Sequence, residues 1–149
     1  MEKNRETSTD EYDPIKFRPH GRVNFKRDEQ ILVCDAIGPF NMELIDAIAH
    51  VEISLLRELI NDGRWAGVVI INESALASQE TLHSFGEYIR YFVDNNLGPC
   101  ATALVIDDNK VIGAKLMAPL IQQKYIDAGI KIEVFGNFND AKTWALTQL

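Results

Sequence analysis

Residues 31–71, ILVCDAIGPFNMELIDAIAHVEISLLRELINDGRWAGVVII, decide the fold. The run Ile31 to Ile37 is apolar except at Asp35, and the run Gly67 to Ile71 is short and β-branched, the composition of strands covered on both faces. Between them Leu44, Ile48, Val51, Leu55 and Leu59 recur every three or four residues, with Ile45 and Leu56 widening the stripe. That spacing predicts an amphipathic helix of about five turns. Asn41 is its expected N-cap and Glu43 favours the positive helix end, while Asn61, Asp62 and Gly63 terminate it. A strand, a long helix and a second buried strand make a right-handed crossover and a parallel pair.

The same alternation extends in both directions. Ahead of Ile31, RVNFK from Arg22 alternates polar and apolar side chains, and Arg27, Asp28 and Glu29 make a charged turn. This reads as a hairpin that supplies an antiparallel edge strand. After Ile71, Ser78 with Glu80 opens a helix striped by Leu82, Phe85, Ile89, Phe92 and Val93, and Ala101 to Ile106 is a third buried strand. Asp107 to Asn109 turn into a helical stretch reaching Ala128, in which Pro119 lacks an N–H and favours a kink. Ile130 to Phe135 is the last strand, and Asn137 with Asp140 caps a closing helix. The expected order is β-β-α-β-α-β-α-β-α, a mostly parallel α/β sheet with an antiparallel edge strand and four helices. Residues 1–20 are polar and carry Pro14 and Pro19, the composition of a flexible tail, which leaves 21–149 as one domain.

Charge narrows the partners. The net charge of −7 falls in the body of the chain, since residues 1–30 hold seven basic and seven acidic side chains, and residues 31–149 hold eight and fifteen. An acidic surface with scattered lysines and arginines repels a phosphate backbone, so nucleic acid is not an expected partner. No stretch approaches the ~18 consecutive apolar residues of a membrane span. Neither a leader nor a disulfide framework is readable, which points to the cytoplasm. Cys34 and Cys100 form no C-x-x-C pair and are expected as buried thiols.

With Phe135, Asp140, Ala141 and Trp144 in the pattern F-x(4)-D-A-x-x-W, together with the long first helix and Trp65 ahead of the strand Gly67 to Ile71, residues 21–149 resemble the STAS superfamily, specifically its SpoIIAA-like branch. The resemblance implies a non-enzymatic regulatory or binding module that takes a partner protein or a small apolar or anionic ligand. Such domains are structurally similar to CRAL-TRIO lipid carriers. In anti-sigma-factor antagonists a serine preceded by aspartate opens the helix after the central strand and is phosphorylated. Ser78 is the matching position, but Ala77 precedes it and Gln79 follows it. Ser78 as N-cap and Ser74 as loop residue are the plainer readings. A homodimer is expected only insofar as two-fold dimers are common.

The apolar-ligand reading singles out Phe85, Tyr88 and Met117, beside Tyr91, Phe92, Leu116 and Leu120, although stripes at helical spacing also build cores. Ser74 and Ser78 complete the candidate binding set. Ligands of open α/β sheets lie outside the carboxyl ends of the strands, where Glu73, Asp107, Asp108 and Lys110 form the alternative, a metal-dependent phosphoryl-transfer or hydrolytic site. No G-x-G-x-x-G, G-x-x-x-x-G-K-[ST] or G-x-S-x-G motif is present, and His20, His50 and His83 have no metal-ligand spacing, so no cofactor and no resident metal are expected.

Overall fold

The computed structural model describes residues 4–11 and 21–149. It has a six-stranded sheet in the spatial order β1 (Glu6–Ser8), β2 (Arg22–Asp28), β3 (Ile31–Ile37), β4 (Ala66–Asn72), β5 (Ala101–Ile106) and β6 (Lys131–Phe135). The first three strands pair antiparallel and β3 to β6 pair parallel. Four helices complete it: α1 (Met42–Asp62), α2 (Gln79–Asp94), α3 (Ala114–Asp127) and α4 (Phe138–Gln148). This is the α/β sheet with an antiparallel edge that the alternation of strands and helices predicts.

The edge itself lies one strand further out. Glu6–Ser8 belongs to the stretch read as a flexible tail, yet it pairs with Asn24 to Lys26 of β2. A run too polar to order by burial is held by specific bonds. The Arg27 amide donates to the Arg5 carbonyl at 2.9 Å, the Val23 amide donates to Thr9 Oγ1 at 2.9 Å, and Arg5 pairs with Glu58 of α1 at 2.7 Å. The rest of that stretch, including His20, lies outside the described residues. Asn41, Ser78 and Asn137 cap α1, α2 and α4 as expected. The third helix starts later than its periodicity suggests, at Ala114, and runs across Pro119 to Asp127. The preceding residues are taken by pairing with the loop after β4, where the Ile112 amide donates to the Glu73 carbonyl at 2.9 Å and the Ala75 amide to the Ile112 carbonyl at 2.9 Å.

Handedness places the layers. Each of the three crossovers steps one strand along in the same direction, so right-handed connections put α1, α2 and α3 on one face of the sheet. The alternation of side chains agrees. Phe25, Cys34, Val69 and Leu104 are in register across neighbouring strands, and their row packs toward those helices. The opposite face, with Ala66, Val68, Ala103 and Val105, packs on Ala141 and Ala145 of α4. Lys142 ties α4 to Asp28 of β2 at 2.7 Å. Arg27, wholly buried, joins β2 to the end of α1 through Asp62 at 2.7 Å and Gln30 Oε1 at 2.7 Å.

Where the chain leaves β3 it presses against the loop after β4. The Phe40 amide donates to the Leu76 carbonyl at 2.9 Å, and a Cβ on Gly38 would lie 1.9 Å from the Ser74 carbonyl oxygen. Backbone fills that space, so no side-chain rotation relieves the overlap. Gly38→Ala is expected to lower the unfolding free energy by about 2 kcal/mol or more, measured by urea denaturation.

Candidate functional site

At the carboxyl ends of the strands the acidic side chains do not gather into a metal-holding group among the described residues. Asp107 Oδ1 accepts from the Asn109 amide at 2.9 Å, a turn within its own loop. Glu73 sits at φ +63° in the loop after β4. No group of three or more His, Cys, Asp or Glu side chains suited to a metal exists among the described residues. The His50 ring bonds the Asp46 carbonyl on its own helix, and His83 pairs with Glu87 on the surface of α2. The physical reason lies in the strand order. A crevice at the strand ends opens where the winding reverses and neighbouring helices part to opposite faces. From β3 to β6 this sheet never reverses.

A cavity of about 120 Å³ lies instead between the sheet and the layer of α1, α2 and α3. Its sheet side includes the small residues Ala36 on β3, Gly67 on β4 and Thr102 on β5, beside Val23, Cys34, Val69 and Ile71. Its walls are large: Phe25, Phe40, Trp65, Phe85, Tyr88, Phe92 and Tyr125, with Leu44, Ile45 and Ile48 from α1. Cys34 and Val69 occupy the middle of the helix-covered face, and both keep accessible surface. That surface is cavity wall, since strands and helices enclose it on either side. A Cβ on Gly67 would meet Thr102 Oγ1 at 3.4 Å and the Trp65 ring at 3.7 Å, so glycine here is not forced by the backbone and leaves space open.

One carboxyl stands in this carbon-lined space. Glu52 of α1 is 6% exposed, and its Oε1 accepts from the Tyr88 hydroxyl of α2 at 2.7 Å. Its Oε2 accepts from the Cys34 thiol of β3 at 3.8 Å. Burial disfavours the charged form more than these two donors favour it, and the carboxyl is pushed up from near 4.5 to about 7. Burial together with the neighbouring carboxylate also pushes the Cys34 thiol and the Tyr88 hydroxyl well up. Tyr125 of α3, 7% exposed, is raised by burial and by Cys34 and Glu52 in turn. Its ring packs edge-on against Phe85 at 5.8 Å.

The sequence-derived candidates separate cleanly. Phe85 and Tyr88 line the cavity. Met117 is packed in the core with Ile71, Leu104 and Ile121 and does not line it. Leu116 and Leu120, on the same helix, point outward at 67% and 43% exposure, as does Tyr91 at 48% on α2. Ser74 is buried, its Oγ accepting from the Leu76 amide at 3.2 Å in a local turn. Ser78 Oγ accepts from the Thr81 amide at 3.1 Å and donates to Thr81 Oγ1 at 3.0 Å, so its side chain is engaged as the cap of α2. Sequence spacing does not mark Glu52 or Tyr125 as site residues, and it marks Cys34 only as a buried thiol. For Glu52 a signal was present, because it lies four residues after Ile48 and four before Leu56, an acid within the apolar stripe of α1.

Comparison of the chain with protein-family models, with curated proteins and with solved structures found no match.

Two measurements follow from this geometry. Ser78→Ala is expected to cost about 1 kcal/mol of unfolding free energy while Ser78→Asp, which keeps an accepting oxygen, costs little, as read by chemical denaturation. Glu52 binds its proton more tightly in the folded chain than in the unfolded one. Its stabilising contribution is therefore full below about pH 4.5 and is lost as the pH rises to about 7. Relative to the wild type, Glu52→Gln should gain about 3 kcal/mol between pH 4.5 and pH 8, which urea unfolding at stepped pH would register.

Proposed function

We propose that the chain is a non-enzymatic binding module of the STAS, SpoIIAA-like type, and that it holds a small, largely apolar ligand between its sheet and its three crossover helices. The observation that carries this reading is the cavity itself, a space of about 120 Å³ walled by carbon with the Glu52, Tyr88 and Cys34 cluster at one place in its lining. Left empty, such a volume costs on the order of 3 kcal/mol at ~24 cal/mol per Å³. A domain with a total stability of about 5–15 kcal/mol gains substantially from an occupant. The order of strands and helices supports the family reading, and an apolar occupant fits better than an anionic one because no Lys, Arg or His is among the lining residues. In this reading Glu52, Tyr88 and Cys34 orient a polar end of the ligand, and Phe85, Trp65 and Phe92 hold its body.

Native mass spectrometry of the gently purified protein is expected to show a retained small molecule, or else uptake of an added one. Gly67→Val places two further methyl groups toward the cavity from a position with room for Cβ. It should abolish retention while leaving thermal stability unchanged or raised. Equal retention by wild type and variant would defeat the proposal.

A further inference from the structure

We propose that the cavity is a site for a compact organic monocation, an aryl- or alkylammonium whose apolar body fills the carbon-walled space while its N–H groups donate to the Glu52 carboxylate, with the Tyr125 hydroxyl oxygen as a second acceptor. This rests on the reading of the cavity as a ligand site and names the chemical class that the site selects. Glu52 is the one side chain of the lining that carries a charge near neutral pH, and that charge is negative. Cys34 of β3 and Tyr88 of α2 donate to it, Tyr125 of α3 shares the cavity, and all three are neutral. An anion would enter without a countercharge. A neutral apolar molecule would fill the volume but leave the carboxylate buried beside it.

Three features favour a cation. A carboxylate has about four lone-pair positions, and Tyr88 and Cys34 occupy one on each oxygen, so accepting capacity remains. Tyr125 lines the cavity and is 7% exposed, and its hydroxyl oxygen is a further acceptor for a ligand N–H. The lining is rich in rings, among them Trp65, Phe85 and Tyr88, and aromatic rings attract an ammonium in a desolvated space. The ion pair also relieves the burial of an uncompensated carboxylate, which offsets the loss of ammonium hydration.

The coupling to protons makes the inference testable. An alkylammonium stays charged well above neutral pH, whereas Glu52 keeps its proton up to about pH 7, so binding of the cation at pH 6 releases one proton to solvent. Affinity should therefore rise about tenfold per pH unit up to about pH 7 and level off above it. The probes are benzylamine, benzyl alcohol and benzoate, of matched size, titrated into the full chain by calorimetry at pH 5.5, 6.5 and 8 in buffers of differing ionisation enthalpy. The expected result is benzylamine binding with that pH dependence and proton release, weaker pH-independent binding of benzyl alcohol, and none of benzoate. Glu52→Gln should remove both the pH dependence and the preference for the amine, and Tyr125→Phe should weaken the amine more than the alcohol. Benzyl alcohol bound as tightly as benzylamine at pH 8 would overturn the cation assignment while leaving the cavity a ligand site. No binding by any of the three, with Gly67→Val indistinguishable from wild type, would overturn both.

Discussion

Right-handed crossover geometry, applied three times without reversal, is the constraint from which the rest of this structure follows. A twisted strand feeding a right-handed helix can return to a parallel neighbour on one side only. With β3, β4, β5 and β6 laid down in order, α1, α2 and α3 are committed to the same face. The other face is left to α4 and its alanines, Ala141 and Ala145, which allow close approach. The same constraint leaves β3 to β6 without a reversal at the strand ends, and the cavity lies between the layers.

What keeps that space open is a mismatch of residue sizes. Beneath three helices carrying Leu, Ile, Phe and Tyr, the sheet offers the small residues Gly67 and Thr102, paired at the start of β4 and β5, and Ala36 toward the end of β3. Interiors ordinarily close such gaps, because each missing contact forfeits dispersion energy. Here a carboxyl occupies the wall, held from β3 by Cys34 and from α2 by Tyr88. The cavity and its charge are a single feature: an acid on the inner face of α1 is tolerable only where donors reach it and where volume next to it is not fully packed with carbon.

The N-terminal edge shows the opposite balance. Glu6–Ser8 has little apolar surface to bury and is nevertheless a strand, because β2 offers it a ladder and Glu58 offers Arg5 a partner. Arg27, buried beneath this edge, bonds Asp62 at the far end of α1 and Gln30 in the adjoining turn. Composition reads the strand as tail because composition measures hydrophobic gain, and here the gain is in directional bonds between segments far apart in sequence.

Periodicity alone determined the α/β class, five of the six strands and all four helices, since the spacings of 2 and 3.6 are imposed by local backbone geometry. The caps were legible for the same reason: Asn41, Ser78 and Asn137 act within three residues of themselves. Of the candidate residues, Phe85 and Tyr88 were placed on a helix face by spacing, but that face also carried Val93, which is exposed, and the parallel stripe on α3 mixed buried Met117 with exposed Leu116 and Leu120. Which members of a stripe meet a cavity depends on what the opposing layer presents, and spacing along one chain segment carries no such information. Only the tertiary structure brought Glu52 to Cys34, 18 residues away, and to Tyr88, 36 residues away. It set them around one cavity with Ala36, Gly67 and Thr102 from three strands. A pocket is a property of the distance between layers, and that distance is decided by the summed packing of all the elements.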